Sequence, residues 1–294
     1  MPKVFNPLSV FRAKREEPLE VEKGLTPTNG VQPDFRQQPI AELFWAADFG
    51  PVRTIIDGAK TRPTGFIPTV KGGFRTMPWD SQLEERAMQL ADISSRVYFL
   101  LAQPHRMEIK VRGNRGSPLT YFPDLLVKVD PSLVEDLLSG ARFIDAIRTP
   151  AADRLPPREW ETVILEIKAD VDPRDGKPRY REKLEFAKEV YQRRGWHFLE
   201  LRESAHLKSK FVKTARFLDW RKQVALDEFD LQTCRAAFAG GSVTTLEHLE
   251  RSLGGGNFGR VKAFGLHYRQ IISIDLSGGI AEGATVYLMR GDAQ

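Results

Sequence analysis

The 294-residue chain has one cysteine, Cys234. A single thiol excludes a disulfide framework, a paired-cysteine redox motif and a zinc site built on several thiolates. It fits a reducing compartment, where a lone cysteine serves as a small apolar residue. Long apolar runs are also lacking. The longest, such as Val97 to Ala102, fall far short of the roughly 20 residues a membrane span needs, so no membrane partner is expected. The first 24 residues carry Lys3, Arg12, Lys14, Arg15, Glu16 and Glu17 and no apolar stretch of the secretory kind. No GxxxxGK[ST] loop and no HExxH occurs, which sets aside P-loop and zincin chemistry, and no internal repeat is visible. Charge of one sign is in little excess: 44 Lys+Arg against 39 Asp+Glu leaves +5. That balance is compatible with nucleic acid without requiring it.

What is present describes a folded chain. Apolar residues make up 41% and charged residues 28%, which is the balance of a soluble globular protein. The length suits one large domain or two ordinary ones, with core enough to need no staple. Residues 1–40 mix charge with Pro18, Pro27, Pro33 and Pro39 and hold no sustained period. Residues 41–80 carry short apolar pieces broken by Gly and Pro. Ser81-Gln82-Leu83-Glu84 is a capping box that opens a helix with Leu83, Ala87, Leu90, Ala91 and Ser94 on one face. Strands are predicted at 97–103, 106–111, 119–129, 163–169 and 196–202, with a hairpin turn at Gly113 to Pro118. Residues 130–161 form a polar excursion with a short helix at 132–138. An amphipathic helix runs from Tyr180 to Arg194 and stops at Gly195. The order implies an α/β fold with a mixed sheet flanked by helices.

Beyond residue 203 the pattern changes. Helices over about 204–239, a short helix capped by Thr244 or Thr245, a Gly254-Gly255-Gly256 turn, a helix capped by Asn257, and strands at 271–276 and 285–289 give a winged-helix-like order. The cationic excess of this part is small, so its electrostatic case for DNA is weak.

Three short patterns bear on chemistry. Pro123-Asp124 lies within a predicted strand, Glu166-Ile167-Lys168 within the next core strand, and Glu84 opens the upstream helix. Alternation puts Glu166 and Lys168 on one face of their strand and Leu165 and Ile167 on the other, core-facing side. Charged groups on an apolar strand need a partner or a ligand. With Asp124 on a neighbouring strand, two carboxylates can share a hard divalent ion, Mg²⁺ or Mn²⁺. Such an ion promotes phosphodiester hydrolysis, and Lys168 would hold the attacking water and stabilise the developing charge. The bland readings are a capping box at Glu84, an edge-strand proline at Pro123 and a solvated pair at Glu166 and Lys168. The succession helix Glu, hairpin, strand PD, strand ExK, helix, strand is the order of a PD-(D/E)xK nuclease core.

Several segments resemble TnsA endonucleases, the partner nucleases of heteromeric cut-and-paste transposases. They are Pro78 to Glu84, Ala102-Gln103-Pro104, Tyr121 to Val127, Leu165 to Lys168, Leu184 to Arg194 and Gly195 to Phe198, together with Gly65 to Pro68 and Lys71-Gly72-Gly73 upstream. The resemblance implies a restriction-endonuclease-like domain over 62–203, with an insertion at about 130–161, after an extended N-terminal region (1–61) and before a winged-helix-like domain (204–294). It implies Glu84, Asp124, Glu166 and Lys168 as catalytic residues. Asp124, Glu166, Glu84 and the Ile167 carbonyl would hold one or two Mg²⁺ or Mn²⁺ ions. The expected activity is cleavage at the 5′ ends of a transposon. The expected partners are double-stranded DNA at those ends, a DDE transposase and an ATPase regulator, in a bacterial cytoplasm and at the nucleoid when active. The 41 residues between Asp124 and Glu166 exceed the family spacing; the excess could be an extra hairpin or a loop facing DNA or a partner. A stand-alone defence or phage nuclease and a non-catalytic adaptor with a nuclease fold are the alternatives.

Further cations suggest DNA contact. Arg179, Arg181 and Lys183 open the helix after the ExK strand, and Arg260 and Lys262, with Tyr268 and Arg269, lie on the C-terminal recognition-type helix. Tyr180 reads as packing and His197 as a core histidine. His248 and His267 have no metal-ligand company, and the basic N-terminal tail reads as solvated.

Overall fold

The computed structural model describes residues 39–53, 63–111, 117–151 and 153–289. The N-terminal tail with its basic residues and most of the turn at Gly113 lie outside these residues. Among them the strands are β1 (Pro39–Trp45), β2 (Gly65–Pro68), β3 (Thr76–Trp79), β4 (Val97–Ala102), β5 (His105–Val111), β6 (Leu119–Tyr121), β7 (Leu125–Val129), β8 (Glu161–Lys168), β9 (His197–Arg202), β10 (Val243–Thr245), β11 (Ile272–Ile274) and β12 (Thr285–Leu288). The helices are α1 (Gln82–Ile93), α2 (Pro131–Leu138), α3 (Phe143–Ala146), α4 (Pro178–Arg193), α5 (Phe211–Asp219), α6 (Glu228–Ala236), α7 (Leu246–Ser252) and α8 (Gly256–Tyr268). The described residues are therefore mixed α/β and form four sheets.

The central sheet has the order β4-β7-β8-β9. β7 runs antiparallel to β4 and β8, and β9 runs parallel to β8 after the α4 crossover. β8 is rich in β-branched and other apolar residues and is buried along seven of its eight positions, as expected of a strand covered on both faces. Helix α1 starts where the capping box predicts. Ser81 Oγ accepts from the Glu84 N–H at 3.2 Å, while Glu84 Oε2 accepts from the Asp80 N–H at 2.8 Å. Helix α4 ends in a Schellman arrangement. Gly195 takes φ +70°, open to glycine without strain, and the Trp196 N–H donates to the Tyr191 carbonyl at 2.9 Å.

Several expectations change. The strand expected over 119–129 is two strands in two sheets: β6 pairs with β5, and β7 pairs with β4 and β8. Pro123 accounts for the break, because it has no N–H to give a ladder and restricts the residue before it. The 130–161 excursion is no hairpin. Its helices α2 and α3 bury Leu133, Val134, Phe143, Ile144 and Ile147. Arg96, 3% exposed, reaches across to Ser132, Asp136 and the Ala146 carbonyl. Pro39 and Ile40 belong to β1, not to an irregular lead-in. Helix α8 is not capped by Asn257; it starts after Gly255, at φ +73°, with no capping side chain.

The C-terminal elements share the core. A three-stranded sheet β10-β12-β11 accompanies α6, α7 and α8, and a single apolar cluster runs from Ile67 to Val286. Buried polar contacts join the halves. Lys222 Nζ lies 3.1 Å from Asp92, which also accepts from the Val70 and Lys71 N–H groups, and Gln270 Nε2 donates to the Ser95 carbonyl at 2.8 Å. Cys234 is buried, and burial pushes its thiol up to about 12. No described helix is long and apolar enough to cross a membrane.

Candidate active site

Asp124 is the residue before β7, and β7 is antiparallel to β8 with Leu125 opposite Leu165. Asp124 therefore stands beside Glu166 and Ile167. Its Oδ2 accepts the Ile167 N–H at 2.7 Å. Behind it, the Asp124 carbonyl accepts the N–H of buried Gln103, whose φ is +44°. The first turn of α1 brings Glu84 near enough to act electrostatically on Asp124, as Glu166 does.

Burial and like charge dominate this group. Burial first, then Glu166 and Glu84, hold the Asp124 carboxyl well above its usual range. Burial raises Glu84 to about 7, with Asp80 and Glu166 adding to the rise. Glu166 is raised as well, mainly by burial, although two tyrosines oppose the shift. Tyr121 Oη donates to Glu166 Oε2 at 2.6 Å and Tyr180 Oη to Oε1 at 2.7 Å.

Glu166 and Lys168 are both 2% exposed. This corrects the reading of a solvated pair: α1, α4 and the loop after β8 cover that face too. Lys168 Nζ lies 3.0 Å from Glu200 Oε2 and 3.2 Å from Asp175 Oδ1, with the Tyr180 ring centroid at 5.0 Å. Arg202 completes this group, 2.7 Å from Asp175 Oδ2. Burying two charges costs several kcal/mol each before compensation, and here the two tyrosines compensate Glu166 while Glu200 and Asp175 compensate Lys168.

The oxygens are spent internally: Glu84 on the α1 start, Asp124 on Ile167, Glu166 on the tyrosines. Among the described residues no three His, Cys, Asp or Glu side chains are grouped to hold a metal ion as they stand. The chemistry of the donor set still fits one, because Glu166 raises both Asp124 and Glu84, and a hard cation relieves that repulsion.

The other cations separate into kinds. Arg179 and Arg181 are exposed on α4. Lys183 stands at the rim, 3.3 Å from the Thr120 carbonyl and over the Tyr121 and Tyr180 rings, and burial lowers its pKa. Arg260 makes a two-pronged contact with Glu250 at 2.8 and 3.0 Å, and Lys262 pairs with Asp230. Tyr268 is buried, and Arg269 donates to the Gly265 and Val224 carbonyls. His197 is not a core histidine: a third of its side chain is exposed and its Nε2 lies 2.8 Å from Glu161. The buried histidines are His105 and His267.

Sequence reading missed the partners. Tyr121 comes from another sheet and Tyr180 from a helix start, so no spacing links them to Glu166. Glu200 and Arg202 did carry a signal, since they alternate on β9 as Glu166 and Lys168 do on β8, and the register pairs them. Arg53 was also missed. It bonds Asp80 and Gln103 and lies over the Phe122 ring, bracing both ends of the site.

No protein-family model matches the chain, and no curated protein matches it.

Proposed function

We propose that this protein is a metal-dependent DNA endonuclease of the PD-(D/E)xK kind, resembling TnsA, that cleaves the 5′ ends of a transposon beside a DDE transposase, with an ATPase regulator gating the complex. The observation that carries the reading is the Asp124–Ile167 hydrogen bond across β7 and β8, with Glu84, Glu166 and Lys168 around it. The helix, three antiparallel strands, crossover helix and parallel strand that frame it suit a restriction-endonuclease-like domain. The C-terminal helices and three-stranded sheet suit a winged helix.

Asp124, Glu166, Glu84 and the Ile167 carbonyl would hold Mg²⁺ or Mn²⁺. When bound, the ion supplies a lowered water pKa and neutralises charge on the phosphate. Lys168 then orients the attacking water and stabilises charge developing on the phosphate oxygens. Tyr121 and Tyr180 fix the Glu166 carboxylate, and Lys183 offers a cation to the DNA backbone at the rim. One observation favours the non-catalytic adaptor as second reading: each carboxylate, and Lys168, already has an internal partner.

Calorimetric titration of Mg²⁺ and Mn²⁺ into wild type and an Asp124→Ala/Glu166→Ala variant tests the reading without partner or target. Binding by wild type that the folded variant has lost supports it. Absence of binding by both, with duplex DNA present, turns the reading to the adaptor.

A further inference from the structure

The outer face of α5 is only partly explained by packing: the Arg221 guanidinium lies 3.8 Å from the Phe217 ring centroid, while the rest of the face has no such cover among the described residues. Phe211, Ala215 and Leu218 bury the inner face. Lys213, Arg216, Phe217 and Trp220 follow the i, i+3, i+4, i+7 spacing of one helix face, and Lys210 continues it one turn back. All five are exposed, Trp220 to 86% and Phe217 to 57%. Lys210 sits at the N-cap with no side-chain cap, where a cation opposes the helix dipole. No described carboxylate pairs with Lys210 or Lys213. An exposed tryptophan beside the two unpaired lysines is costly for solubility and useful for a polyanion that also offers flat apolar surface.

Location adds to composition. Helix α5 packs on α1, and Arg216 Nη2 lies 3.9 Å from Glu85, the residue after Glu84. The basic face thus meets α1 in its first turn, at the residue that follows Glu84. The carboxylates at the site repel phosphate, so a cleaving enzyme needs cations beside them to hold the strand.

We infer that the α5 face, Lys210, Lys213, Arg216, Phe217 and Trp220, is a DNA-docking surface that holds the duplex flanking the scissile phosphate. This rests on the endonuclease reading and adds a binding surface to it. The cations neutralise phosphates, and the two aromatics lie against sugar and base edges.

The test uses the full chain in EDTA, so that no cleavage occurs, and a fluorescein-labelled DNA duplex read by anisotropy across a salt series. Circular dichroism melts establish that the variants fold. Lys210→Ala/Lys213→Ala is expected to weaken binding about tenfold at moderate salt and to flatten the slope of log K against log salt by about 2. Trp220→Ala is expected to weaken binding several-fold with the slope unchanged. Wild-type affinity in both folded variants overturns the inference and leaves the endonuclease reading standing. Unchanged affinity with a shift from dimer to monomer in Trp220→Ala overturns it in favour of a contact between copies. A wild type that binds no duplex at low salt overturns the endonuclease reading itself.

Discussion

Lys168 Nζ sits 3.0 Å from Glu200 Oε2, a carboxylate on the neighbouring parallel strand, two register positions before Arg202, which stands opposite Lys168. The ammonium group is therefore held in place, on the strand that also presents Glu166. Replacing it with a methionine of similar length removes the charge and keeps the volume. Asp175 retains Arg202. The expected outcome for Lys168→Met is a loss of metal-dependent DNA cleavage of about 100-fold or more, with a melting curve close to that of wild type. Full cleavage by the folded variant removes Lys168 from the mechanism.

Glu84 gives a pH signature. Its carboxyl titrates near 7 in the fold and near 4.5 in the unfolded chain. Between these values the folded state keeps a proton that the unfolded state has released. Metal-free stability from this group is therefore full below about pH 4.5 and lost as pH rises through 7. Glu84→Gln removes the loss. In EDTA the variant should gain roughly 2–3 kcal/mol on wild type between pH 5 and pH 8 in urea unfolding. An equal difference at both pH values refutes the assignment.

Tyr121 and Tyr180 each donate to Glu166. Tyr121 is buried and Tyr180 half-buried, so Tyr121→Phe leaves the carboxylate less compensated. At pH 8 without metal, Tyr121→Phe should cost about 1.5–3 kcal/mol and Tyr180→Phe less. Excess Mg²⁺ should return part of that loss, because the cation then takes the place of the missing donor. Equal costs for the two variants, untouched by Mg²⁺, would detach the tyrosines from the site.

Lys71 carries a burial cost elsewhere. It is 4% exposed, no acceptor reaches its Nζ, and burial lowers its pKa to about 7 despite nearby Asp92. Between pH 7 and 10.5 the unfolded chain binds a proton that the folded chain does not, so wild-type stability from this group rises with pH across that window. Lys71→Met should be more stable than wild type at pH 7, on the order of 3 kcal/mol, with the advantage fading toward pH 10. Chemical denaturation at the two pH values checks it.

Local chemistry made the main elements legible. The capping box placed the start of α1, the amphipathic period and Gly195 placed α4, and the β-branched run placed β8, because each depends on neighbours a few residues away. The alternation that put Glu166 and Lys168 on one face also held. Single-residue chemistry misled where a distant contact outweighed it. Asn257 can cap a helix, but Gly255 at φ +73° starts α8 two residues earlier. His197 sits in an apolar run, yet its ring faces Glu161 and solvent.

The sequence by itself determined the mixed α/β class, the helices α1 and α4 with the strands β4, β8 and β9 around them, and which residues carry charge into apolar strands. Only the tertiary structure decided what those charges meet. Glu166 finds Tyr121 in another sheet and Tyr180 on a helix, and Lys168 finds Asp175 on a loop and Glu200 on the next strand. The 130–161 segment folds as helices on the core. The reason is that spacing along a chain records local geometry, whereas burial on the second face of a strand depends on which elements pack there.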